Sequence, residues 1–131
     1  GLVGSEMCIR DRSLLSVKNC YSQARKLGPD RWAQIIAAHK IFKKNTMIVS
    51  CGSAISIDYV TESGIHKGGL ILSGAERYSN CFSDIHNLKN IKLNINQNKN
   101  SNILQSNTLK QITSGYRVML SSSINEIYSN L

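Results

Sequence analysis

Thr46-Met47-Ile48-Val49-Ser50-Cys51-Gly52-Ser53-Ala54-Ile55-Ser56-Ile57-Asp58-Tyr59-Val60 reads as strand, turn and strand. Thr46 to Ser50 is a short apolar run. Cys51-Gly52-Ser53 supplies the turn, because glycine beside small polar residues breaks the extended pattern. From Ala54 to Val60 the residues alternate, with Ile55, Ile57 and Tyr59 on one face. Glu62-Ser63-Gly64 makes a second turn, and Ile65 to Leu72 a third strand. Residues 46–72 are therefore expected to form an antiparallel meander.

Helices flank this meander. From Asp30 to about Lys43, Trp32, Ile35, Ile36, His39 and Phe42 recur at three- and four-residue steps, and Pro29 marks the start. Asp30 is expected at the N-cap. A weaker helix is expected from Gly74 to about Asn87, then a polar Asn-, Lys- and Ser-rich connection over residues 88–107. A longer helix follows from Thr108 to about Asn130. Leu109, Ile112, Tyr116, Met119, Leu120, Ile127 and Leu131 lie along one of its sides. The fold class is α/β, with helices covering one face of the sheet.

The 131 residues suffice for one domain with a modest core, and a hydrophobic content of 41% is ordinary for a globular chain. No apolar run has the length of a membrane span, so no membrane is expected as a partner. The formal net charge of +8 is spread from Lys18 to Arg117. No basic run carries interleaved aromatics, so no nucleic acid is expected; a steep salt dependence of DNA binding would reverse that. Cys20, Cys51 and Cys81 are odd in number and far apart, which argues against a disulfide framework or a zinc site. Reduced cysteines fit a cytoplasmic protein. Residues 1–12 look like translated linker sequence rather than native chain.

Several motifs carry chemistry and each has a plainer alternative. Cys51-Gly52-Ser53-Ala54 half-matches a papain-type nucleophile motif, but a buried strand-end cysteine is the simpler reading. Gly64, Gly68, Gly69 and Gly74 lack the Gly-Lys-Ser/Thr ending of a phosphate loop. Ser50, Ser53 and Ser56 sit on a hairpin that can present hydroxyls to a phosphate. Asp30 is either a helix cap or a base at the mouth of a cleft. Its own neighbourhood leaves both readings open.

Four pieces in order are more specific than any one of them. Tyr21 and Leu27-Gly28-Pro29-Asp30-Arg31-Trp32 come first, then Ile48 to Asp58. Gly64, Gly68-Gly69-Leu70-Ile71-Leu72-Ser73-Gly74, Thr108 and Ser114-Gly115 follow. Over residues 13–131 this series resembles type III pantothenate kinase. The resemblance implies an actin/sugar-kinase fold of two ribonuclease-H-like domains, here incomplete. Residues 13–45 would end the first domain and 46–131 would begin the second. It implies ATP-dependent phosphorylation of pantothenate, the first step toward coenzyme A, in a cytoplasmic enzyme that is a homodimer when intact.

Under the same resemblance Asp30 would be the general base. Tyr21, Gly28, Pro29, Asp30, Arg31 and Thr108 would contact pantothenate, and Ser53 would contact ATP, which comes with Mg2+. Ser50 stands where the family has an aspartate that helps bind a monovalent cation, K+ or NH4+. Ser73 replaces the family's usual proline. The family's Asp-x-Gly-Asn-Thr phosphate loop is expected upstream of residue 13 and a glycine-rich segment after the last helix. The polypeptide as written is therefore expected not to turn over alone. A catalytically dead homologue acting as a binding or regulatory protein is the alternative, and Ser50 favours it.

Overall fold

The computed structural model describes residues 13–85, 88–89, 91–93 and 102–131. Strands β1 (Ser13–Leu14) and β2 (Val17–Lys18) form a small antiparallel hairpin. A 3-10 turn at Ala24–Lys26 leads into helix α1 (Pro29–Phe42). Strands β3 (Thr46–Cys51), β4 (Ala54–Val60) and β5 (His66–Ser73) follow, then helices α2 (Ala75–Asn80) and α3 (Thr108–Ser129). β3, β4 and β5 form an antiparallel sheet in that order. The meander and both long helices thus stand where the periodicity placed them.

Two compact units are present: the described part of Gly1–Ser50 with Ser56–Ile71, and Cys51–Ile55 with the described part of Leu72–Leu131. In the first unit, Val17, Leu27, Trp32, Ile35, Ile36 and Val60 form a buried cluster, with Tyr21 and Ile48 packed against it. The apolar stripe of α1 supplies Trp32, Ile35, Ile36 and Ala38 to the buried side. Phe42, expected on that stripe, is 58% exposed, because the helix ends there and no longer faces the core. The β1–β2 hairpin was not legible: strands of two residues carry no period. Its turn residues Leu15 and Ser16 both have positive φ, the geometry of a two-residue hairpin turn. Gly64 seats this hairpin. Its φ is +81°, and a Cβ there would lie 2.1 Å from the carbonyl oxygen of Ser16, so only glycine fits.

In the second unit, Tyr116 of α3 is buried against Tyr78, with ring centroids 4.9 Å apart, and Tyr78 meets Phe82 edge-on at 5.4 Å. The Tyr116 hydroxyl donates to the carbonyl of Ser73 at 3.1 Å. That bond satisfies a polar tip which burial would otherwise strand. Burial also pushes the Tyr116 phenol above its ordinary pKa. On the expected stripe of α3, Ile112 and Tyr116 are buried, whereas Leu109 is 44% exposed. The expected helix from Gly74 to Asn87 is only the six residues of α2, followed by turns through Asp84. Its end at residues 86–87 falls outside the described residues, as do residues 1–12 and most of the polar connection. Among the described residues no helix is long and apolar enough to cross a membrane.

Candidate functional site

The first turn of α1 carries Pro29, Asp30 and Arg31. Gly28, not Asp30, is the N-cap, and it makes no side-chain cap bond. The expectation of an Asp30 cap is corrected: Pro29 at the first helical position fixes φ for the helix, which shifts the start one residue earlier and moves Asp30 inside the first turn. Asp30 is exposed. Gly28 leaves room beside it, since a Cβ there would sit 3.2 Å from Asp30 Oδ1.

Arg31 reaches Asp58 and Tyr21 within the first unit. Its Nε donates to Asp58 Oδ2 at 2.9 Å and its Nη2 to Asp58 Oδ1 at 2.7 Å, a two-pronged ion pair. Its Nη1 donates to the Tyr21 hydroxyl at 3.2 Å, and its guanidinium carbon lies 5.9 Å from the Tyr21 ring centroid. His66 Nε2 bonds to Asp58 Oδ1 at 2.9 Å, and its ring stacks with Tyr21 at 6.0 Å between centroids. Asp58 and His66 side chains are 3% and 0% exposed. Buried ionised groups persist only when paired and hydrogen-bonded. Here one carboxylate answers both an arginine fork and an imidazole.

Burial alone would raise the Asp58 pKa, but hydrogen bonds from His66 and Arg31, with the charge of Arg31, hold it below the usual carboxylate range. The hydrogen bond to Asp58 pushes the Arg31 guanidinium still higher, so it stays charged. An ionised Asp58 needs a donor, which places a proton on His66 Nε2. His66 Nδ1 faces Cys20 Sγ at 3.8 Å. Burial pushes the Cys20 thiol up, so it is protonated at neutral pH. Gly69 completes the geometry. A Cβ there would sit 2.0 Å from the Ile57 carbonyl oxygen and 2.8 Å from Asp58 Oδ1.

Of the residues singled out from sequence, Tyr21, Gly28, Pro29, Asp30 and Arg31 fall together in the first unit. Ser50 is also there, and its hydroxyl accepts a hydrogen bond from Gln34 Nε2 at 3.3 Å. Ser53 and Thr108 belong to the second unit. Ser53 is exposed in the β3–β4 turn, its carbonyl taking the Gly74 N–H at 3.2 Å. Thr108 is the exposed first residue of α3, whose cap Asn107 accepts from the Lys110 N–H at 3.2 Å. Cys51 stands at a strand end as expected but is exposed rather than buried, because β3 has an open face at that point.

Asp58 and His66 were missed as site residues. The alternation of β4 put Ile55 and Ile57 inward and left Asp58 on the other face. In fact both faces are covered, from Ile55 through Asp58. A carboxylate in an otherwise apolar strand, with a histidine opening the next strand, was the available signal. Hard cations select carboxylate and carbonyl oxygens. Ser50 offers one hydroxyl, already engaged by Gln34. Among the described residues no group of three or more His, Cys, Asp or Glu is placed to hold an ion.

The profile of the type III pantothenate kinase family matches residues 5–130. The chain belongs to the type III pantothenate kinase family. Type III pantothenate kinases of Hahella chejuensis and Marinomonas sp. are 41% identical over 59 residues and 43% identical over 58. These matches cover 45% and 44% of this chain, and 25% and 24% of those relatives. The Idiomarina loihiensis enzyme is 36% identical over 80 residues, 60% of this chain and 30% of that one. The chain thus spans about a quarter of the length of the curated relatives it matches. Among solved structures, a Campylobacter jejuni protein assigned to the Baf family of transcriptional activators superposes with a TM-score of 0.57. It is 24% identical, with 88% of this chain and 52% of that one covered, a likeness of fold.

Proposed function

We propose that this chain contributes the alcohol-substrate side of a type III pantothenate kinase, which transfers a phosphoryl group from ATP to pantothenate at the start of coenzyme A synthesis. The observation that carries this reading is the division of labour between neighbours. Arg31 is tied to Asp58, whereas Asp30 stands exposed on the first turn of α1. Phosphoryl transfer asks the protein mainly for positioning and charge stabilisation. A helix-anchored carboxylate at hydrogen-bond range of a primary alcohol serves as its general base.

In this reading Asp30 accepts the hydroxyl proton of pantothenate. Tyr21 and Arg31 hold the substrate's polar groups, with the guanidinium oriented by Asp58 and its charge kept by that pairing. Gly28 and Pro29 shape the approach, and Thr108 adds a further hydroxyl. Ser53 offers a hydroxyl and a turn to the nucleotide, which supplies the phosphoryl group as its Mg2+ complex. The fold reading is the ribonuclease-H-like pair of the actin/sugar-kinase class, supported by the antiparallel meander followed by helices. A cytoplasmic homodimer is the assembly and location that go with it. The test is steady-state phosphorylation of pantothenate by the intact protein. Asp30→Asn should lower kcat by about 100- to 10,000-fold, and unchanged kcat removes the base.

A second reading has one observation behind it. Ser50, where the family carries an aspartate, is engaged with Gln34. A binding or regulatory homologue without turnover fits that change. Calorimetry of the intact protein with pantothenate and ATP separates the two: binding of both without product formation selects the regulator.

A further inference from the structure

We propose that His66 is a positioning residue of the substrate site, one that sets the Arg31 guanidinium through both of its partners, Asp58 and Tyr21. The inference rests on the reading of Arg31 and Tyr21 as pantothenate contacts. All four residues belong to the first unit. Arg31 commits three of its five N–H groups, two to Asp58 and one to the Tyr21 hydroxyl. Because the guanidinium is a rigid plane, those partners also set the direction of the two N–H groups that remain for a ligand.

His66 touches both partners at once. Its Nε2 donates to Asp58 Oδ1 at 2.9 Å, and its ring stacks with Tyr21 at an interplanar angle of 22°. The contacts close a circuit of four side chains, from Arg31 to Asp58, to His66, to Tyr21 and back to Arg31. The imidazole is fully buried. With its proton on Nε2, the Nδ1 lone pair faces the Cys20 thiol at 3.8 Å, so each edge of the ring has its own partner. The backbone just before it is pinned: the Ile65 N–H donates to Thr61 Oγ1 at 2.9 Å, and the Ile65 carbonyl accepts from the Thr61 N–H at 3.0 Å.

Histidine alone meets these demands together. Asp58 needs a donor, Cys20 an acceptor and Tyr21 a flat face. Glutamine carries an amide N–H near the place of Nε2, within reach of Asp58. Asparagine carries it near the place of Nδ1, too short to reach. The two variants lose the same ring and the same stack, and differ in the donor to Asp58.

NMR of the 131-residue chain follows exchange of the Arg31 Nε–H with water. His66→Gln should stay within about threefold of the parent and His66→Asn should exchange at least ~tenfold faster, the weight of a hydrogen bond to a charged group. In the intact protein, KM for pantothenate should be at least ~fivefold higher in His66→Asn than in His66→Gln, with kcat similar, as expected where ground state and transition state are held alike. A merely structural histidine would lower the stability of both variants and produce neither difference. Equal exchange in the two variants overturns the proposal and leaves the pantothenate reading standing. Faster exchange in His66→Asn with equal KM overturns it through that reading, since Arg31 then holds no substrate, and an intact parent without turnover fails both together. The parent alone gives a further check that needs no variant to fold: its ring nitrogen shifts should show the His66 proton on Nε2, and a bare Nε2 removes the donor to Asp58 and the proposal with it.

Discussion

Arg31 and Asp58 meet through two parallel hydrogen bonds, Nε to Oδ2 at 2.9 Å and Nη2 to Oδ1 at 2.7 Å, so a helix and a strand 27 residues apart in sequence are joined by one fork. His66 shares Oδ1 at 2.9 Å. Removing the carboxylate strands both partners. Asp58→Ala should therefore destabilise the chain by about 3–5 kcal/mol, the usual cost of breaking a buried ion pair. Denaturant unfolding measures it, and a loss below ~1 kcal/mol would show that the network stabilises little.

The same carboxylate makes stability depend on acid. Its folded pKa is lowered, so its contribution is fully present above the unfolded value of about 3.9. That contribution fades as pH falls from there through the folded value. The unfolding free energy of the parent should drop below pH 4, and Asp58→Asn, though less stable at pH 7, should lose part of that drop. Parallel acid limbs for the two proteins would assign the dependence elsewhere.

Arg31→Lys keeps a positive charge and loses the fork. A lysine cannot make both bonds to Asp58 and also reach the Tyr21 hydroxyl. If Arg31 and Tyr21 hold pantothenate as proposed, KM of the intact protein should rise by at least ~tenfold, with a smaller change in kcat. An unchanged KM would leave Arg31 a purely structural residue.

Gly69→Ala tests the close approach of β5 to β4. The new methyl would overlap the Ile57 carbonyl at 2.0 Å, and backbone cannot swing away as a side chain does. A loss of ~2 kcal/mol or more is expected. Gly52→Ala is the control: its Cβ would lie 3.6 Å from the nearest backbone oxygen, an ordinary contact. Equal melting temperatures for the two variants would contradict the packing of the sheet at Asp58.

Tyr116→Phe removes one hydroxyl and leaves the ring stack with Tyr78 intact. The Ser73 carbonyl then loses its donor at 3.1 Å, for a cost of about 1 kcal/mol. A shift in thermal midpoint of the second unit reports it, and no shift would mean that water replaces the hydroxyl fully.

The long elements were legible because their patterns repeat. Trp32, Ile35 and Ile36 recur at helical spacing, and Ile55 and Ile57 alternate, so α1 and β4 came out within a residue or two of their observed bounds. Short or tertiary features were not. The Leu15-Ser16 turn has neither glycine nor asparagine to announce its positive φ. The burial of Asp58 on both faces follows from what β5 and α1 bring to it, which no local pattern encodes. The cap was misplaced because proline and aspartate are both start signals one residue apart. Tyr21, Arg31 and Asp30 emerged through the family resemblance, whereas Asp58 and His66 emerged through distances.

Asp30 caps nothing and hydrogen-bonds to no described neighbour as a structural element must, while Arg31 beside it is committed to Asp58. Replacing Asp30 therefore changes no packing. If Asp30 is the base proposed above, a single-nucleotide change at that codon removes the base and leaves a chain whose packing is unchanged. Selection on turnover alone would then guard the position. A lineage released from that selection keeps the scaffold and sheds the chemistry in one step, an easy origin for folded relatives without activity.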